Sequence, residues 1–536
     1  MSILPSSFLE VPLKQLNEAY YEQIVPKLTK KNKAVAVVAV AFLVVFSKLN
    51  TLLRPPRKLR HIPYQGFFSY LVSLAKDKSI LQRSQRYGLP KVDSEENNGI
   101  YLRTGRFGWE AQISNPEAIK RVLLKHEFFP KVNADFKVKS AMIFKFVGDS
   151  NIACVNGHHW KKQRKIANPA FHRAMPVLMF GKLTKDLFKE MDKLGPAIEV
   201  TDLMERWTLD AIGKAGFDFD FNAITDKDNA WVKTYNSFRE AISHPIFFLF
   251  PILESHFLWM FPKRKQAHAD LDHFLSMMRT IIVEKRKKIE SNQNQNANLN
   301  ENERDLLNLM LESEMKGEGQ MTNKELENNL SVFFLAGHDT TSNALSFAIY
   351  YLAQNQEIQQ RAREEAISIL GDKPEDVLPT IEDTKKMEYI YQIMKETLRI
   401  NGPAPNVVTR VATDDCELAG IFIPKGTLLN VNIFETHNSE KNWTNPLKFD
   451  PDRFASDLNG NDISVKGMNW VPFGNGARQC IGMNFSINEQ KVMLSMLLRK
   501  YSWCLPIDSI HTNGIKTTGI EVVAPYDLKI EFTRNY

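Results

Sequence analysis

The ten residues FGNGARQCIG, positions 473–482, constrain this chain more than any other stretch. A single cysteine, Cys480, sits among glycines at 474, 476 and 482. Glycine lets a backbone turn tightly and approach a flat partner closely. The thiolate is the form of cysteine that binds a metal, so a ligand sulfur needs a lowered pKa; the metal supplies most of that and backbone N–H groups add to it. The run 483–498 reads as a helix, which puts Cys480 just ahead of a helix N-terminus and its positive dipole. Arg478 can pair with a carboxylate on a flat cofactor, and Phe473 can pack beside the sulfur and exclude water. A lone loop cysteine is ordinarily a small buried hydrophobe. The ten-residue pattern carries what a metal–thiolate site needs, against the alternative of a glycine-rich turn with a buried free cysteine.

The rest of the chain has to support such a site. Its 536 residues exceed the roughly 250–300 at which one hydrophobic core stops growing, so two domains or one many-layered domain are open. At 43% hydrophobic and 24% charged residues, it is an ordinary globular chain and not a disordered one. The net charge of +7 is spread without one long basic run, which gives no case for nucleic acid. The clusters at 263–265 and 285–288 read as solvated helix faces. Four cysteines (Cys154, Cys416, Cys480, Cys504) are too few and scattered for a disulfide framework, and without a CxxC a structural zinc site is not expected. That usage suits a reducing compartment.

Residues 34–46 (AVAVVAVAFLVVF) are an unbroken apolar run, and extension to 53 reaches the roughly 20 residues a bilayer requires. No amphipathic period shows and lysines flank the run, so a membrane anchor is preferred to a buried core helix. The expected organisation is an N-terminal segment 1–33, an anchor 34–53, a proline-rich basic hinge 54–63 and a catalytic body 64–536. Flanking charge leans slightly toward a cytosolic body. Within the body, helical patterns dominate, with long stretches near 265–290, 322–354, 355–370 and 384–400. Short strands are predicted at 99–103, 110–113, 420–423 and 428–431, with a hairpin over 515–532. The stretch 291–303 is a polar, low-complexity loop.

Three further motifs precede the cysteine loop. Glu396 and Arg399 sit three apart, which sets both charges on one helix face, and FDPDRF follows at 449–454. AGHDTT, 336–341, lies inside an apolar helix. Its i, i+4 spacing puts Ala336 and Thr340 on one face, and a threonine hydroxyl bonding back to the i−4 carbonyl opens a groove. GHHWKKQR, 157–164, sets Trp160 and Arg164 one turn apart, an indole N–H and a guanidinium suited to clamping a carboxylate. Each motif alone is commonplace. With the cysteine loop, and in this order, they resemble the cytochrome P450 family over the body from about residue 60. The departures are Asp452 in place of the usual Glu, Ser486 for a commoner small apolar residue, and Gly402-Pro403 where many relatives carry two prolines.

The resemblance implies the cytochrome P450 fold, mainly α with small β-sheets (α+β), behind an N-terminal membrane anchor helix. It implies haem b (iron protoporphyrin IX) as cofactor, with Cys480 as axial ligand of the iron. Phe473, Gly474 and Ala336 would lie against the haem, and Trp160, Arg164, Arg478 and, by a less constant spacing, Arg410 would hold its propionates. Glu396, Arg399 and Arg453 would form a buried structural ionic network. Thr340 would hydrogen-bond the dioxygen and Asp339 would help relay protons, while His338 fills a variable position. The implied activity is a monooxygenase inserting one oxygen atom of O2 into a lipophilic steroid, fatty acid, terpenoid or xenobiotic. The chain carries no flavin or nicotinamide fingerprint, so NADPH acts only through a partner: NADPH–cytochrome P450 reductase, with cytochrome b5 as a further donor. The expected location is the endoplasmic reticulum membrane. The apolar stretch 245–262 reads as core packing or, more sharply, as a lipid-dipping roof with Trp259 and Lys263 near the headgroups. Two rivals are a haem-thiolate isomerase, which the intact Asp339–Thr340 pair disfavours, and a membrane haem sensor or store.

Overall fold

The computed structural model describes residues 53–132, 141–242, 250–291, 300–315, 320–456 and 467–536, with a few scattered positions besides. The expected anchor, 34–53, lies outside the described residues apart from Val35, Val38, Ala39 and Leu53, which are helical; so does 292–299 of the polar loop. Among the described residues no helix is long and apolar enough to cross a membrane.

Helices carry the architecture. Those that shape the site are α1 (Phe67–Lys76), α2 (Met142–Val147), α3 (Gly157–Arg173), α4 (Val177–Met191), α5 (Val200–Phe217), α6 (Ala230–Ile242), α7 (Pro262–Glu290), α8 (Asn323–Gln354), α9 (Gln356–Leu370), α10 (Glu388–Asn401) and α11 (Met483–Lys500). The strands are short: β1 (Ile100–Gly105), β2 (Gly108–Ile113), β3 (Ala197–Glu199), β4 (Arg410–Val411), β5 (Cys416–Leu418), β6 (Ile421–Ile423), β7 (Leu428–Val431), β8 (Tyr501–Cys504), β9 (Thr517–Thr518), β10 (Ala524–Pro525) and β11 (Lys529–Arg534). A four-stranded sheet has the order β1-β2-β7-β4 and a three-stranded one β3-β11-β8; β5-β6 and β9-β10 are separate pairs. β1 and β2 form an antiparallel hairpin, and β2 then pairs in parallel with β7, Glu110 against Leu428.

Two expectations are corrected. The tail is not one hairpin over 515–532: only β9 and β10 pair locally, and β11 leaves to join β8 and β3. The stretch 384–400 is not one helix but breaks at Met387. The break is stable because Glu365 of α9 accepts the N–H groups of Glu388, Tyr389 and Ile390, capping α10 from outside its own sequence.

α8 is the organising element. Thr322 and Glu325 form a capping box at its start, each side chain accepting the other's backbone N–H. Its first half, Leu326 to Phe334, belongs to an apolar core shared with α2, α3, α5, α6 and α7. Its last third, Leu345 to Ala353, belongs to a second core with α4, α5, α10 and α11. A helix apolar on all sides is buried on all sides. The middle turn, with Ala336, Gly337 and Thr340, belongs to neither core. A third core lies against the four-stranded sheet.

Candidate active site

That middle turn and the cysteine loop border one cavity of about 310 Å³. Ala336, Gly337 and Thr340 line it from α8; Phe473, Gly474, Arg478 and Cys480 from the loop; Trp160 and Arg164 from α3. Residues remote in sequence therefore meet at one surface. Cys480 is exposed, and the surface it shows lines this cavity. Its N–H donates to the Phe473 carbonyl at 2.9 Å, which closes the loop. Gly474 and Gly476 make that turn at φ +67° and +70°, where a side chain is strained. Desolvation by the protein around the cavity pushes the Cys480 thiol up, while the Gly482 N–H and the nearby Arg164 charge favour the thiolate. In such a niche a bound cation decides the balance.

The Thr340 hydroxyl donates to the Ala336 carbonyl at 2.6 Å, the back-bond expected from the spacing. Asp339 does not line the cavity. Its Oδ1 accepts a hydrogen bond from the Tyr235 hydroxyl at 3.0 Å. Burial raises its carboxyl against the opposing pull of Arg239 and the Tyr235 bond. His338 is buried beside it, within 2.9 Å of the Thr208 hydroxyl.

The cavity's cations are short of anions. Lys131, Arg164 and Arg478 line it, and Arg410 lies behind them, 2% exposed and outside the cavity. Burial first, and then the neighbouring arginines, push Lys131 down to about 7 and Arg478 down to about 9; burial alone brings Arg410 to about 10. The charged groups acting on these four are one another and the thiols of Cys154 and Cys480, with no carboxylate among them. Arg478 donates instead to the Ile152 carbonyl (3.2 Å), the Val155 carbonyl and Asn156 Oδ1 (2.8 Å), and its guanidinium lies 4.4 Å from the Trp160 ring centroid. Arg410 donates to the Phe129 carbonyl at 2.9 Å, and its Nε has no partner. Unpaired buried cations are costly, so the donor set calls for anions. The two propionates of a porphyrin answer it, beside a thiol and a wall of Ala336 and Gly337 low enough for a flat ring. The residues present fit haem.

Glu396 and Arg399, the centre of the supporting network, are fully buried. Arg399 pairs bidentately with Glu396, at 2.6 and 2.9 Å, and donates to the His437 and Pro446 carbonyls, both at 2.7 Å. The Asp450 N–H and Arg453 Nε reach the same Glu396 oxygen at 2.9 and 3.4 Å. Asp452, the departure from the usual Glu, forms an outer ion pair with Arg361 at 2.8 Å.

The motif reading missed Lys131, which no spacing marks, and the apolar lining of Ile212, Val407 and Val408. The family model described as Cytochrome P450 matches residues 110–530. The chain belongs to the cytochrome P450 family. Cytochrome P450 3A12 of Canis lupus familiaris is 30% identical over 410 residues, covering 73% of this chain and 76% of that one. Cytochrome P450 3A5 of Homo sapiens is 28% identical, covering 78% and 82%. Protein LUTEIN DEFICIENT 5, chloroplastic, of Arabidopsis thaliana is also 28% identical, over 78% and 71%. The solved cytochrome P450DA heme domain superposes with a TM-score of 0.72 at 23% identity, over 89% of this chain and 98% of that one, a likeness of fold. This cytochrome P450 is thus a monooxygenase with haem as its cofactor.

Proposed function

We propose that this monooxygenase hydroxylates a lipophilic compound held beside Cys480, using electrons that an NADPH-dependent reductase delivers at the endoplasmic reticulum membrane. The observation that carries the reading is the cavity: Cys480 and Thr340 share it with Ile212, Val332, Phe333 and Val407, so the compound it admits is apolar. Haem bound there supplies the redox chemistry and the activation of dioxygen. Cys480 is its ligand, and Trp160, Arg164, Lys131 and Arg478 hold its carboxylates. Phe473 and Ile481 keep water from the sulfur. The Thr340 hydroxyl is the proton-bearing atom at the cavity wall, and Asp339 behind it holds the next proton.

Two surfaces support the partners. Leu123 and Leu124 pack against Gly476 of the cysteine loop, so the exposed Lys125 lies beside that loop, where an acidic reductase face would dock. On α1 and the segment before α7, Phe68, Ile252, Phe257, Trp259 and Met260 are exposed, and Trp259 shows 75% of its surface. Phe67 and Phe250, 6.3 Å apart, join the two segments into one apolar face. With the exposed Lys263 and Lys265 beside it, that face suits a bilayer interface.

The decisive experiment is Cys480→Ser. A hydroxyl is a poor substitute for thiolate, so the variant is expected to lose the red-shifted absorption of the reduced carbon monoxide complex. An unchanged band removes the ligand assignment. A screen of lipophilic compounds for substrate-induced spin shifts then identifies the substrate class.

A further inference from the structure

Behind the cavity wall, Tyr235 and Arg239, one turn apart on α6, each meet a carboxyl group of a neighbouring helix. Glu205 of α5 is ion-paired with Arg239 of α6. Asp339 of α8 takes its hydrogen bond from Tyr235 of α6 instead. Arg239 nonetheless acts on both acids, and Asp339 acts on Glu205. The side chains of Glu205 and Arg239 are 17% and 29% exposed and that of Asp339 14%, so the cluster leads from the surface to the helix that carries Thr340. The other charges of α5 nearby, Asp202 and Arg206, pair with each other at 2.9 Å.

The Thr208 hydroxyl lies 2.9 Å from the Met204 carbonyl and 2.9 Å from His338 Nδ1. His338 Nε2 lies 3.6 Å from Asp339 Oδ1. Burial holds His338 down to about 3, so the ring is neutral. One cation does not balance two carboxylates, and Arg239 is already in contact with Glu205, so the proton rests on Asp339.

We propose that Glu205 is the proton inlet of the relay: it shares one proton with Asp339, and Arg239 changes partner as that proton moves. The proposal rests on Asp339 and Thr340 acting as the relay. Asp339 gives its proton toward Thr340 and the cavity. The carboxylate so formed draws Arg239 away from Glu205. Glu205, without its cation, takes a proton from water. That proton passes to Asp339 and Arg239 returns. One proton enters and one leaves, with no change in electron count. Tyr235 is the positioning residue: its hydroxyl holds Asp339 Oδ1 through the exchange. Burial raises Glu205 to about 6 in spite of Arg239, so it loads close to neutral pH.

The test is Glu205→Gln in the full haem-loaded chain. The amide takes no proton, and Arg239 is left to Asp339 alone. The Asp339 carboxylic acid C=O absorption, identified as the infrared band that Asp339→Asn removes, is expected in the wild type at neutral pH, absent in Glu205→Gln and restored in Glu205→Asp. NADPH oxidation with reductase and no added substrate is expected to fall about tenfold in Glu205→Gln, less than the ~10²–10⁴-fold of a group that transfers the proton itself. An Asp339 band that persists unchanged in Glu205→Gln overturns the inlet. If Asp339→Asn slows NADPH oxidation and Glu205→Gln does not, the relay stands and the inlet is wrong. If Asp339→Asn changes neither that rate nor the peroxide released, relay and inlet fall together.

Discussion

Lys131 ties haem loading to pH through one side chain. Its ordinary value is 10.5, and in the folded chain burial and the neighbouring arginines bring it to about 7. Above about 7 the haem-free protein therefore holds Lys131 neutral, whereas beside propionates it is protonated. Haem uptake then takes up a proton, and affinity falls as pH rises from about 7 toward 10.5, by at most about tenfold per unit for one proton. Stability of the haem-free fold runs the other way: the unfolded chain binds more protons in that window, so stability rises with pH. Haem titrations of the apoprotein across this range check the first slope, and Lys131→Gln is expected to flatten it. An equal slope in the variant rejects the assignment. Lys131 was invisible in the sequence because it reaches the site through an isolated bridge to Arg410, far along the chain. Cys480, Thr340, Trp160 and Arg164 all line the cavity, and for the last three a few residues of helical spacing set the face in the sequence itself. Arg410 lies outside the cavity lining, with one bond to the Phe129 carbonyl and its Nε without a partner, a depth that sequence spacing does not set.

At the scale of elements, the back-bonded turn of α8 and the α10 network make separate predictions. Thr340 bonds back to Ala336 and lines the cavity. Removing its hydroxyl leaves both cores of α8 untouched, so Thr340→Ala is expected to keep its haem and thermal midpoint while diverting NADPH to peroxide. Tight coupling in that variant, measured as peroxide per NADPH, speaks against the relay. Glu396 receives Arg399, Arg453 and the Asp450 N–H with no exposure to solvent. Glu396→Gln removes the charge and strands Arg399, at a cost on the order of 3–5 kcal/mol, which denaturant unfolding reads directly. A cost near zero places the network outside the folding core. The long helices were readable from apolar period and from caps such as Thr322-to-Glu325. The break at Met387 and the β2–β7 pairing were not, because Glu365 and β7 act on residues distant in sequence.

The whole molecule raises the question of what the first 53 residues contribute. The described apolar cores take in nothing earlier than Leu59. The hinge is held on the body by its own bonds: Lys58 Nζ donates to the Lys425 carbonyl at 2.8 Å, and the His61 ring contacts the Phe422 carbonyl at 2.7 Å. These contacts survive a cut after residue 53. Deletion of 1–53 is therefore expected to give a body that binds haem and melts within about 2 °C of the full chain, a shift below about 1 kcal/mol. Its membrane affinity is expected to fall without vanishing, because Trp259 and its exposed apolar neighbours remain. Flotation with anionic vesicles measures that remainder, and Trp259→Ala with Phe68→Ala in the truncated body should abolish it. A truncated chain that binds no haem makes 34–53 part of the core and not an anchor. A truncated chain that binds haem but ignores vesicles, even before those substitutions, makes the exposed aromatic face something other than a bilayer contact.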